Sequence, residues 1–97
     1  MKLLAVLQTD CPTCQLIVPY LNRLAAAGVP LAGLSQDPEA ETTAFAGAMD
    51  VAFPLELDAG WARSIELGVA TVPTLLVLDN DGNVVHCEPG FDKAALN

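Results

Sequence analysis

Cys11-Pro12-Thr13-Cys14 sits at the junction of a continuous apolar run and a helical pattern, and no other stretch constrains the chain as strongly. Two cysteines separated by two residues can close a small disulfide or hold a metal. Residues 2–7 ahead of the pair are apolar after Lys2, which suits a strand buried on both faces, as in a parallel α/β sheet. Over residues 12–27, Cys14, Ile17, Val18, Leu21, Leu24 and Ala25 recur at spacings of three and four, with Gln15, Asn22 and Arg23 opposite. Pro12 fits the first helical position, where its missing N–H costs nothing. Pro19 predicts a kink, and Gly28 predicts the end of the helix.

On such a helix Cys11 takes the N-cap and Cys14 lies one turn in, on the same side, within disulfide reach. A helix start offers partial positive charge and free N–H groups, which favour a thiolate at Cys11. Asp10 works against that thiolate. Cys14 falls on the apolar face and is expected to be shielded. An accessible thiolate beside a shielded thiol is the asymmetry that thiol–disulfide exchange uses. Zinc is the competing use of the pair, since His86 and Cys87 nominally complete a Cys₃His set. Adjacent strand residues point to opposite faces, however, so Cys87 is expected to be a half-buried strand thiol and His86 a surface residue.

Size and charge narrow the function classes. The 97 residues suit one small domain, and 53% hydrophobic against 16% charged residues argues for a compact chain rather than a disordered one. No apolar run reaches the roughly 18 residues that span a bilayer. Residues 1–7 fall short of the roughly 7–15-residue apolar region of a secretory signal. Three cysteines assign no compartment; as given the chain reads as cytoplasmic, with an excised extracytoplasmic domain as the alternative. The formal charge of −8 repels phosphate backbones, which disfavours nucleic acid as a partner. Residues 37–58 hold six acids and no base, read as a solvated face.

Downstream, residues 29–35 predict a second strand entered at Pro30. Asp37-Pro38-Glu39 predicts a helix start with Asp37 as cap, burying Ala44, Phe45, Ala48 and Met49. Residues 53–57 predict a short extended piece. Asp58 is expected to cap a helix over residues 59–67 with Trp61, Ala62 and Ile65 inward; Trp61 is read as core or as a helix-start anchor, with a place flanking the site as the lesser alternative. Residues 75–78 and 83–87, joined by Asn80-Asp81-Gly82, predict a hairpin. Gly90 breaks the second strand, and residues 92–97 begin a last helix. Its early stop suggests a chain trimmed from something longer, or a helix left short. Alternation followed by a hairpin argues for an α/β sheet of mixed direction.

With Cys11 and Cys14 after a first strand, Pro19 five residues on, Val72-Pro73-Thr74 opening the hairpin and Gly90 beyond it, nearly the whole chain resembles the thioredoxin superfamily. Ser35-Gln36-Asp37, Phe45, Phe53-Pro54 and Asp58 resemble the TlpA and ResA kind of thioredoxin-like reductase. The resemblance implies a thioredoxin-like fold: a mixed central sheet flanked by helices, with an extra helix and short strand after the second main strand and a shortened last helix. It implies a thiol–disulfide oxidoreductase in which Cys11 is the nucleophile and Cys14 the resolving thiol. A cis Pro73, with Val72 ahead of it, would offer a surface to an extended substrate, flanked by Thr74, Pro12 and Thr13. No cofactor beyond a Cys11–Cys14 disulfide is implied. Partners would be protein or small-molecule thiols and disulfides, together with a fused or upstream reductase. A non-catalytic docking or electron-relay module of a larger protein is the alternative.

Three positions depart from the family pattern. Asp10 replaces the aromatic residue before the first cysteine, Ala5 the acid of the first strand, and Ile17 a glutamate one turn after the second cysteine. No general base for Cys14 is left at those places. Gln8 and Leu4 stand where a peroxiredoxin needs threonine and proline, which disfavours peroxidase chemistry.

Overall fold

The computed structural model describes residues 1–89. The expectations placed on Gly90 and on residues 92–97 lie outside the described residues. Five strands form one sheet in the order β3-β2-β1-β4-β5. The apolar run becomes β1 (Lys2–Leu7), with β2 (Leu31–Ser35) parallel on one side and β4 (Thr74–Leu78) antiparallel on the other. β3 (Leu55–Leu57) extends the sheet in parallel beyond β2, and β5 (Val84–Pro89) closes it antiparallel to β4. β1 lies inside the sheet and is packed on both faces. Ala5 and Leu7 enter one apolar cluster with Cys14, Ile17, Leu21 and Leu75, while Leu4 and Val6 enter the other with Leu34 and Leu76.

The helical pattern gives α1 (Pro12–Ala26), which runs through Pro19 and buries Cys14, Ile17, Val18 and Leu21. It ends as its sequence requires. Gly28 adopts φ 90°, its N–H donates to Ala25 O, and the Val29 N–H donates to Leu24 O, so two of the last carbonyls of the helix are satisfied. At Gly33 in β2 the reason for glycine is space. A Cβ there would meet Leu55 Cδ2 and lie 3.0 Å from Phe53 Cε2.

Two helices depart from the sequence reading. α2 (Glu39–Ala48) buries Thr42 and Phe45, whereas Ala44 and Ala48 are exposed and Met49 is half-buried. Asp37 does not cap it, because its carboxylate is taken by the Thr9 N–H. The expected helix over residues 59–67 is broken. A 3-10 turn (Ala59–Trp61) carries positive φ at Gly60 (66°) and Trp61 (61°), and α3 starts only at Ala62 (Ala62–Glu66). Those two left-handed residues rotate the helix, so Ser64 points inward while Trp61, Ala62 and Ile65 are exposed. Asp58 does cap this helix, accepting the N–H groups of Arg63 (2.9 Å) and Ser64 (2.8 Å) and the Ser64 hydroxyl (2.5 Å). The hairpin turn is held by the Asp79 carboxylate, which accepts the N–H groups of Asp81 and Asn83, both at 2.9 Å.

Candidate functional site

The C-terminal end of β1 delivers Cys11 to the start of α1. Cys11 has extended backbone angles (φ −92°, ψ 114°) and acts as the N-cap, its Sγ accepting the Cys14 N–H at 3.3 Å. A sulfur thereby replaces the oxygen that usually takes a free helix N–H. Both cysteines are free thiols. They differ in environment: Cys11 is partly exposed, whereas Cys14 is 0% exposed in the core beneath it. Burial pushes the Cys14 thiol up to about 12 from its ordinary 9.0. The backbone N–H of Gln8 acts the other way, while the neighbouring Cys11 and the charge of Asp37 add to the rise.

The Val72–Pro73 peptide bond is cis, and the Val72 carbonyl faces the Cys11 sulfur. The Cys11 thiol donates to Val72 O at 3.9 Å. Pro73 is buried, Pro12 is exposed and Thr13 is half-buried, so Cys11, Pro12, Thr13 and Val72 present a surface together. Thr74 stands behind that surface. It is 1% exposed, and its hydroxyl donates to Thr71 O at 2.7 Å, which holds the turn entering Pro73.

Asp37 and Gln36, which the sequence does not place at the site, are found around it, together with Trp61, for which flanking the site is the lesser alternative. Asp37 accepts the Thr9 N–H at 2.5 Å, two residues before Cys11. Gln36 accepts from Gln8 Nε2 (2.8 Å) and donates to Ser64 Oγ (2.9 Å), joining the loops after β1 and β2 to α3. Trp61 is 49% exposed, so it is not core; it stands at the start of α3 and donates its indole N–H to Gln36 O at 3.0 Å, as a helix-start anchor would. Asp37 followed by proline mimics a helix cap, and nothing local in the sequence signals its use elsewhere. Ala5 and Ile17 are fully buried core residues, so no carboxylate reaches Cys14 from β1 or α1 at those positions. Asp10 is exposed.

His86 and Cys87 are not drawn to the pair. Both lie on β5, opposite Val77 and Leu76, and His86 instead pairs with Glu88 at 3.1 Å. Cys87 is exposed, not half-buried as expected, because nothing among the described residues covers that part of the edge strand. Among the described residues no three His, Cys, Asp or Glu side chains gather as a metal site.

The model of the Redoxin family matches residues 1–95. The chain belongs to this family. Among curated proteins, it is 31% identical over 90 residues to the thiol:disulfide interchange protein DsbE of Yersinia pestis, covering 91% of this chain and 48% of that protein. It is 30% identical over 83 residues to the thiol-disulfide oxidoreductase ResA of Bacillus thuringiensis, covering 80% and 48%. The chain thus spans about half the length of the curated relatives it matches. Among solved structures, StoA from Bacillus subtilis superposes with a TM-score of 0.85 at 22% identity, covering 97% of this chain and 76% of that one. DsbF of Mycobacterium tuberculosis, in mixed oxidised and reduced forms, gives 0.85 at 24% identity, covering 99% and 80%. The fold is therefore thioredoxin-like, and the sequence relatives place the chain in the ResA-like group of that superfamily. No helix among the described residues is long and apolar enough to cross a membrane.

Proposed function

We propose that this domain is a thiol–disulfide oxidoreductase acting on protein or small-molecule thiols and disulfides. The observation that carries the reading is the contrast between the two sulfurs. Cys11 is partly exposed beside the Val72 carbonyl, and Cys14 lies directly behind it with no exposure. In the reducing direction, the Cys11 thiolate attacks one sulfur of a substrate disulfide, forming a mixed disulfide and releasing the first substrate thiol. Cys14 then loses its proton and attacks Cys11 Sγ, which releases the second thiol and closes the Cys11–Cys14 disulfide. Two electrons pass to the substrate, and an external or fused dithiol reductant returns them. Run backwards, the same steps oxidise a substrate dithiol. Backbone pairing of an extended substrate at Val72, next to Pro73, would hold the scissile sulfurs in line. Pro12 and Thr13 would contact its other side. The exchange needs no cofactor beyond the Cys11–Cys14 pair. The names carried by the matched relatives, interchange protein and oxidoreductase, support the same chemistry.

The test is reduction of insulin disulfides by dithiothreitol with and without the protein. Wild type should accelerate it and Cys11→Ser should not, whereas Cys14→Ser should accumulate a mixed disulfide visible by mass spectrometry. A wild type that turns over no disulfide favours a docking module instead.

A further inference from the structure

The peptide between Leu7 and Gln8, where β1 ends, sits between two partners. Its carbonyl accepts the Gln36 N–H at 3.0 Å, and its N–H, carried by Gln8, is the backbone donor at the Cys14 sulfur. Leu7 packs in the same apolar cluster as Cys14, so this peptide lies beside the buried thiol. Gln36 holds the unit a second time through its side chain, where Oε1 accepts from Gln8 Nε2 at 2.8 Å. The other end of that amide is fixed as well. Gln36 Nε2 donates to Ser64 Oγ at 2.9 Å, and the Ser64 hydroxyl donates to Asp58 at 2.5 Å. An ionised carboxylate only accepts, so Asp58 sets the sense of every bond in this chain. Ser64 must donate to it and accept from Nε2, which leaves Oε1 facing Gln8. Asp58 is 3% exposed and Ser64 1%, so water does not compete at that end. The Gln36 carbonyl in turn accepts the Trp61 indole N–H, so every polar group of Gln36 is committed.

When Cys14 attacks the mixed disulfide at Cys11, negative charge gathers on a sulfur that the core shields from water. A donor already aimed at that sulfur stabilises the charge without reorganising, and a hydrogen bond to its own carbonyl polarises the peptide and strengthens its N–H. The titratable groups around Cys14 are Cys11 on its own helix and Asp37 from the loop after β2, and both oppose its ionisation. The strands face it with Ala5, Leu7, Leu31 and Leu75, which carry no charge. Of these neighbours the Gln8 N–H alone favours the thiolate. We infer that Gln36 is a positioning residue for the resolving step, clamping the Leu7–Gln8 peptide so that its N–H meets the charge developing on Cys14. This rests on the oxidoreductase reading above and adds to it the group that assists the second of its two steps.

The test mixes the dithiol form of the full chain with oxidised glutathione and quenches it in acid at set times. Mass spectrometry separates the Cys11–glutathione adduct from the Cys11–Cys14 disulfide, and all variants carry Cys87→Ser so that no other exposed thiol reacts. Each turnover converts one oxidised glutathione to two glutathione thiols and the protein dithiol to its disulfide, the Cys14 proton passing to solvent, so electrons and protons balance. Gln36→Met fills similar space, keeps the backbone N–H to Leu7 and loses both side-chain bonds. It should form the adduct at the wild-type rate. It should resolve that adduct about threefold more slowly at fixed pH, with the pH profile of this step displaced upward by about one unit. Gln8→Met breaks the same bond from its other end and should do likewise. The double variant should then be no slower than either single one, as two ends of one contact require. An unchanged resolution rate and pH profile in Gln36→Met overturns the positioning role, and so does equal slowing of both steps, which marks a loosened fold. Both outcomes leave the redox reading intact. A wild-type Cys11 that takes up no glutathione overturns both.

Discussion

The carboxylate of Asp37 accepts the backbone N–H of Thr9 at 2.5 Å, tying the loop after β2 to the loop that delivers Cys11. The same carboxylate's negative charge opposes ionisation of Cys14. Asp37→Asn keeps an acceptor for Thr9 and removes the charge. Cys14 should then ionise more readily, and the pH profile for its release of a glutathione mixed disulfide from Cys11 should move to lower pH. The gain at fixed pH is about threefold for each tenfold rise in thiolate, since nucleophilicity falls as basicity falls. Asp37→Ala loses the acceptor as well and should cost about 1–2 kcal/mol of stability by urea denaturation. An unchanged profile in Asp37→Asn would mean that the charge is irrelevant to Cys14.

Why Asp37 escaped the sequence while Cys11 and Cys14 did not is a matter of range. Periodicity places Cys14 on the apolar face with Ile17 and Leu21, because one helix decides it. The strand β1 is legible for the same local reason: its continuous apolar run is itself the signal of a strand buried on both faces. Asp37 bonds a residue 28 positions earlier, and Trp61 bonds one 25 positions earlier, so both depend on how separate loops meet. The inward face assigned to the third helix failed for a different reason. Gly60 announces the left-handed turn, but Trp61 shares it, and a non-glycine residue gives no warning.

Gly33 packs its bare Cα against Phe53 and Leu55, where β2 meets β3. Gly33→Ala should destabilise the protein by about 1–3 kcal/mol, the usual consequence of overpacking. Leu55 has to move first, because its Cδ2 would meet the new methyl. Gly33→Ala/Leu55→Ala should therefore cost less than the sum of the two single substitutions, measured by chemical denaturation.

Asp58 holds the start of α3 from a position that is almost fully buried. Burial alone would raise its carboxyl, but the Ser64 hydroxyl and the N–H groups of Arg63 and Ser64 outweigh it, and the carboxyl is held below its ordinary 3.8. The folded state therefore binds this proton more weakly than the unfolded state. The associated stability is present above pH 3.8 and is lost as pH falls below it. Asp58→Asn should cost about 1–3 kcal/mol near neutral pH. Its deficit relative to wild type should shrink in acid, read from denaturation midpoints across that range.

Cys14 works in the opposite sense at the alkaline end. Its thiol is pushed from 9.0 to about 12, chiefly by burial, so the folded state holds this proton more tightly than the unfolded state. Stability from the protonated thiol is fully present below pH 9.0 and drains away as pH rises toward 12. The reduced wild type should lose stability in that window more steeply than Cys14→Ala, which has nothing there to ionise. Near neutral pH, iodoacetamide should label Cys11 and the exposed Cys87 while Cys14 stays unmodified, since attack needs both access and thiolate. A mixed disulfide at Cys11 places an electrophilic sulfur next to Cys14, and the proton must then leave the Cys14 thiol as it attacks. The rate of that step should rise with pH well beyond neutrality. A pH-independent rate across pH 7–9 would show that another group takes the Cys14 proton before the sulfur moves.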